Sequence, residues 1–161
     1  EPAAHDRAAG RPGAFALATR AIRAARSADI RISVNMVLGP ANASQAYRTA
    51  LLAAELGAQR IFGTRVVPQA WAAGAGRAAE APPAPEALLE ALEGLLRARD
   101  ETGIGIGALV GYPLCFLGDL ERFRPFVGRG CPAQRGVRMS VGAGGEAHCC
   151  VHEEQIGRAH V

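Results

Sequence analysis

Along the first hundred residues the apolar positions switch between two periods. From Gly13 to Ser27, Phe15, Ala18, Ile22 and Ala25 recur at steps of three and four, with Arg20, Arg23 and Arg26 between them. That is the spacing of an amphipathic helix with one face on a sheet. From Ile30 to Leu38 the step becomes two. Ile30, Ile32, Val34, Met36 and Leu38 alternate with Arg31, Ser33, Asn35 and Val37 until Gly39 and Pro40 intervene, which predicts a strand. The pattern then repeats. A helix is expected over Ala43–Leu56, with Gly57 as its left-handed cap, and a strand over Arg60–Val67, closed by Pro68. Residues 70–85, rich in alanine, glycine and proline, read as a loop. Glu86–Asp100, with Leu88, Leu89, Leu92, Leu95 and Leu96, reads as a third helix, and Ile104–Val110 as a third strand. The residues ahead of the first helix read as loop.

Helices and strands in alternation, with crossovers of this length, imply parallel strands joined by right-handed connections. An open sheet and a barrel both satisfy the pattern. If the apolar set of the first strand meets the helices, Ser33 and Asn35 point the other way. A purely apolar interior would leave them unpaired, whereas a lumen holding a polar ligand would not. In the third strand, Ile104, Ile106, Ala108 and Val110 oppose Gly105, Gly107 and Leu109. The glycines either admit a close-approaching ligand or relieve crowding in a twisted strand. Arg65, on the middle strand, is assigned to neither face.

Charge narrows the function classes. All 18 basic residues are arginines, the net charge is +3, and they are scattered among few aromatics, which argues against a nucleic-acid surface. There is no signal-peptide pattern and no apolar run of about 18 residues, so a cytoplasmic protein without a membrane partner is expected. Cys115, Cys131, Cys149 and Cys150 all fall in the last third. In a reducing compartment such a cluster points to metal or redox chemistry before disulfides. Between Cys131 and Cys150, Val137, Met139 and Val141 alternate, and Gly142, Gly144 and Gly145 supply a turn. The predicted hairpin would return Cys131 and Cys150 to one neighbourhood.

Four stretches carry a resemblance. HDRAAGRPGAF (5–15), the helix that follows, ISVNMVLGPAN (32–42) and LAAELGAQRI (52–61) occur in the order found in the middle of the radical S-adenosylmethionine barrel. Together they resemble that family over about residues 5–68. Cys131, thirteen residues, Gly145, four residues and Cys150 resemble the opening frame of its C-terminal SPASM extension. The resemblance implies an α/β chain with a partial (β/α) barrel, the C-terminal half of a radical S-adenosylmethionine barrel, over 1–112. A connector over 113–130 and the start of a small Cys-rich SPASM hairpin domain over 131–155 would follow. It further implies an auxiliary [4Fe–4S] cluster with Cys131 and Cys150 among its thiolate ligands, and S-adenosylmethionine in the lumen near Ser33 and Asn35. In this family a reduced cluster cleaves S-adenosylmethionine to a 5′-deoxyadenosyl radical, which takes hydrogen from a peptide, protein or small-molecule substrate. An electron donor is therefore an expected partner.

The sequence departs from the family in several places. Ala9 stands where an arginine commonly follows the HD aspartate, and Cys149 stands where proline is frequent. The segment from Gly111 to Gly130, with Cys115 in PLCF, differs from the pyrroloquinoline quinone maturase. The CxxxCxxC loop that would hold the catalytic cluster is absent, so no catalytic residue is assigned. That loop is expected upstream and further SPASM cysteines downstream, which makes the chain an internal fragment and by itself inactive. IGRAHV (156–161) matches one reading frame of a sequencing adapter and is set apart as a tail. The alternative is a non-catalytic zinc-binding interaction module on an α/β domain, with Cys131, His148, Cys150 and His152 as donors.

Overall fold

A computed structural model describes residues 1–66 and 81–128, together with 136, 139–141, 144–145 and 147–148. They belong to two compact units, the first spanning Glu1–Val66 and Glu80–Val127. In that unit α1 (Pro2–Ala8) and α2 (Ala14–Ser27) precede β1 (Ser33–Leu38). A 3-10 turn (Ala43–Gln45) leads into α3 (Ala46–Glu55), followed by β2 (Arg60–Arg65), α4 (Pro85–Thr102) and β3 (Gly105–Gly107). The short α5 (Leu114–Leu117) and a second 3-10 turn (Arg124–Phe126) complete it.

Two expectations fail at the start of the chain. Residues 2–8 form a helix where a loop is expected, with Pro2 in the first turn, where its missing N–H leaves no helical bond unmade. The first strand begins at Ser33, not Ile30. Asp29 takes a left-handed φ of 57°, and the Ile30 N–H donates to the Ala25 carbonyl at 3.0 Å. These two bonds the end of α2 into a six-residue closing turn. Ile30 belongs to that turn and is 58% exposed.

The sheet is parallel, in the order β1-β2-β3. Its register pairs Ser33 with Arg60 through Leu38 with Arg65, and Arg60 with Gly105 through Phe62 with Gly107. Sequential strand order with right-handed crossovers puts both crossover helices on one face, and α3 and α4 pack there side by side. Leu38 and Ile61 are buried strand residues of that face, joined by Ile32 and Ile104 immediately ahead of β1 and β3. Ala46, Ala50 and Ala53 of α3 and Leu88, Leu92, Leu95 and Leu96 of α4 complete the core. The described sheet is open: three strands do not close into a barrel, so the expectation of barrel geometry is met only to the level of a mixed α/β chain with a small parallel sheet.

Small residues set the layer spacing. A Cβ on Gly63 would run into the Leu95 side chain and lie 3.4 Å from Leu38 Cδ1, so α4 rests directly on the backbone of β2. Gly94 does the same between helices, where a Cβ would lie 3.0 Å from that of Tyr47. The second unit contains β4 (Ser140–Val141) antiparallel to β5 (Ala147–His148), Ser140 pairing with His148. Gly145 between them has φ 84°, so a paired hairpin core lies inside the predicted one. The expected loop over 70–85 lies mostly outside the described residues.

Gly63→Ala is expected to cost about 1–3 kcal/mol by overpacking, and Leu95→Ala about 2–5 kcal/mol by leaving a cavity. Because the added methyl enters the space that Leu95 vacates, the double variant should be more stable than the sum of the two losses predicts. Denaturant midpoints of the four proteins measure this, and strict additivity would contradict the packing described.

Candidate functional site

The face of the sheet turned from α3 and α4 carries Ser33, Asn35 and Val37 of β1, Arg60, Phe62 and Thr64 of β2, and Gly105 and Gly107 of β3. Ser33 and Asn35 stand there, both exposed, as alternation predicts. Thr64 is 7% exposed and one of the few buried polar side chains. Its hydroxyl donates to Asn35 Oδ1 at 2.6 Å and accepts the Leu109 N–H at 3.4 Å. The register sets Thr64 beside Val37, so its bond to Asn35 runs diagonally across the two strands.

The glycines of β3 do not leave the opening that one reading of them allows. A Cβ on Gly105 would lie 3.0 Å from Arg60 Cγ, and one on Gly107 3.4 Å from the Phe62 ring. The neighbouring strand's side chains already fill the space over them. Glycine there relieves crowding, and the approachable part of the face lies over β1.

Beyond Gly107 the backbone ladder between β2 and β3 ends, and side chains continue it. Leu109 N–H turns to the Thr64 hydroxyl, Tyr112 Oη donates to the Gly63 carbonyl at 2.9 Å, and Arg65 Nε donates to the Gly111 carbonyl at 3.2 Å. Arg65 pairs in register with Leu38, on the helix side. Tyr112 is buried between Phe116, stacked at 6.0 Å, and Phe126, edge-on at 6.2 Å. Burial pushes its phenol well above the ordinary tyrosine range, against a smaller opposing pull from Arg65. The carboxyl ends of the strands are the customary ligand position of open α/β sheets, and here they are pinned by side chains.

Of the HD stretch, His5 and Asp6 lie within α1. The Asp6 carboxylate accepts the Gly13 N–H at 2.6 Å and the Phe15 N–H at 2.8 Å. These bonds hold its carboxyl below the usual range, with a smaller contribution from His5. The aspartate therefore tethers the start of α2, where free N–H groups need an acceptor. His5 lies edge-on to Phe15 at 5.7 Å.

Cys131 and Cys150, like Cys149 and His152, lie outside the described residues. Among the described residues, Cys115 is an exposed free thiol and no group of three or more His, Cys, Asp or Glu could hold a metal. No described helix is long and apolar enough to cross a membrane. A cavity of about 1010 Å³ opens on the helix side among α3, α4 and residues 117–123. Several of its charged side chains are already engaged. Arg122 grips Glu93 with a two-pronged bond, Nε to Oε1 at 2.7 Å, Arg99 meets Asp100, and Arg97 lies 3.5 Å above the Tyr47 ring. None of the candidate ligand or cofactor residues named from sequence lines it.

Thr64 and Tyr112 were not identifiable as partners from sequence. The period of two does place Thr64 on the face of Phe62, but its pairing with Asn35 needs the register. Because folded Tyr112 keeps its proton where the unfolded chain loses it, its contribution to stability is whole below pH about 10 and declines as pH rises beyond that. Tyr112→Phe should lower stability near neutrality by about 0.5–1.5 kcal/mol and flatten the alkaline fall in the unfolding midpoint. An equal alkaline slope in both proteins would contradict this assignment. Comparisons with family models, with curated proteins and with solved structures found no match for the chain.

Proposed function

We propose that the chain is part of a radical S-adenosylmethionine enzyme of the SPASM type, acting in the cytoplasm on a peptide or protein side chain. The observation that carries this reading is the one-sided sheet. Sequential parallel strands with both crossover helices on one face are the local pattern of a (β/α) barrel wall and also of one half of a doubly wound sheet; the polar residues of β1 on the free face favour the barrel. The other face then becomes a lumen wall, and Ser33, Asn35 and Arg60 are its exposed polar residues.

The donor set suits the cofactor. Asn35 has its carbonyl oxygen engaged by Thr64, which leaves its amide nitrogen as a donor, and Ser33 adds a hydroxyl. Both complement the ribose and carboxylate oxygens of S-adenosylmethionine. When bound, that cofactor supplies hydrogen-atom abstraction driven by one electron from an iron–sulfur cluster. The chain's own share is to bind and orient it through Ser33 and Asn35. Val37 and Leu109, exposed apolar residues flanking Asn35 and Thr64, would keep water from the bound molecule. In the second unit, Cys131 and Cys150 would give thiolates to an auxiliary cluster, with its remaining ligands elsewhere.

Anaerobic reconstitution with ferrous iron and sulfide tests the reading. The chain should take up iron together with inorganic sulfide and turn brown, and Cys131→Ser or Cys150→Ser should each remove most of both. Uptake of zinc alone, colourless and without sulfide, would instead support the interaction-module alternative.

A further inference from the structure

The environment of Thr64 fixes more than the position of Asn35. A threonine hydroxyl has one proton to give and two lone pairs. The Leu109 backbone N–H can only donate, so it occupies a lone pair of Thr64 Oγ1. The Thr64 proton then needs an acceptor, because an unmet donor at a buried site is costly. Asn35 Oδ1, at 2.6 Å, is that acceptor. The reversed amide would set an N–H group against a hydroxyl already receiving one N–H, and the Thr64 proton would lose its partner. The chain of donors therefore runs one way, from the Leu109 backbone to Thr64 to the Asn35 carbonyl. Asn35 itself is exposed.

From this we infer that Thr64 is a positioning residue that locks the Asn35 amide with its nitrogen available to ligand, so that this point of the sheet face presents an oriented donor to a hydrogen-bond acceptor. A carboxylate or a sugar oxygen fits the amide nitrogen presented there. Assigning that acceptor to S-adenosylmethionine rests on the function proposed above, while the locked orientation rests on Thr64, Asn35 and Leu109 alone. The element that transmits the constraint is the end of β3: where the strand leaves the ladder after Gly107, Leu109 turns its N–H to Thr64 in place of a β2 carbonyl.

The test follows the Asn35 side-chain amide by nuclear magnetic resonance in the full chain, with Thr64→Val to remove the hydroxyl at equal size and Thr64→Ser to restore it. Thr64→Val is expected to shift the Asn35 amide resonances and speed their exchange with water, and Thr64→Ser to return both. With S-adenosylmethionine as the probe, the wild-type Asn35 amide should shift on titration. The apparent Kd should weaken about ten-fold in Thr64→Val, the loss of one hydrogen bond, and recover in Thr64→Ser. Asn35 resonances that ignore Thr64→Val overturn the inference whatever binds. Resonances that respond to Thr64→Val in a protein that S-adenosylmethionine does not perturb uphold the locked amide and overturn its assignment to this cofactor.

Discussion

The contact between Leu95 and the bare backbone at Gly63 is the constraint on which the rest of the first unit depends. It brings α4 onto β2 and seals Leu38, Ile61 and Leu92 from water. Close approach works only because β2 offers no side chain at that position, and close packing at that density tolerates little change in volume. With α4 fixed, the alanine face of α3 fills the remaining width, and both crossovers lie on one side. Among the described residues no helix packs on the opposite face, and Ser33 and Asn35 stand there as exposed polar residues in the middle of a strand.

The same core also determines what happens at the carboxyl ends of the strands. Phe126 is fully buried and the Tyr112 ring packs edge-on to it, so residues 112–127 are drawn back onto the sheet. Tyr112 delivers its hydroxyl to the Gly63 carbonyl from that position, on the same residue that seats Leu95. One glycine thus links the helix layer to the closing segment. Thr64, the next residue, turns toward the open face and links β3 to Asn35. Packing on one side of β2 and polar order on the other are properties of adjacent residues.

Much of this was legible in the sequence because it depends on local period. The three helices, the three strands and the exposed placement of Ser33 and Asn35 follow from steps of 3.6 and 2. What was not legible depends on partners far along the chain or on backbone geometry. Ile30 continues the alternation yet lies outside the strand, because the left-handed turn at Asp29 ends α2 first. The HD pair reads as loop, but it is helical, and Asp6 serves two N–H groups beyond the end of its own helix. Gly105 and Gly107 look like room for a ligand until the register puts Arg60 and Phe62 over them. Residues 113–130 show no strong period. Their contribution comes from Leu117, Phe123 and Phe126, aligned only by the turns between them.

The proposed function joins the one-sided sheet to the cysteines of the second unit in one enzyme, and the coding sequence on either side of this stretch in its parent gene tests that union most directly. A parent enzyme of this type requires a CxxxCxxC loop in frame upstream, following a first barrel strand, and further cysteines in frame downstream of Cys150. A continuous upstream frame that completes a domain without that triad would contradict that union.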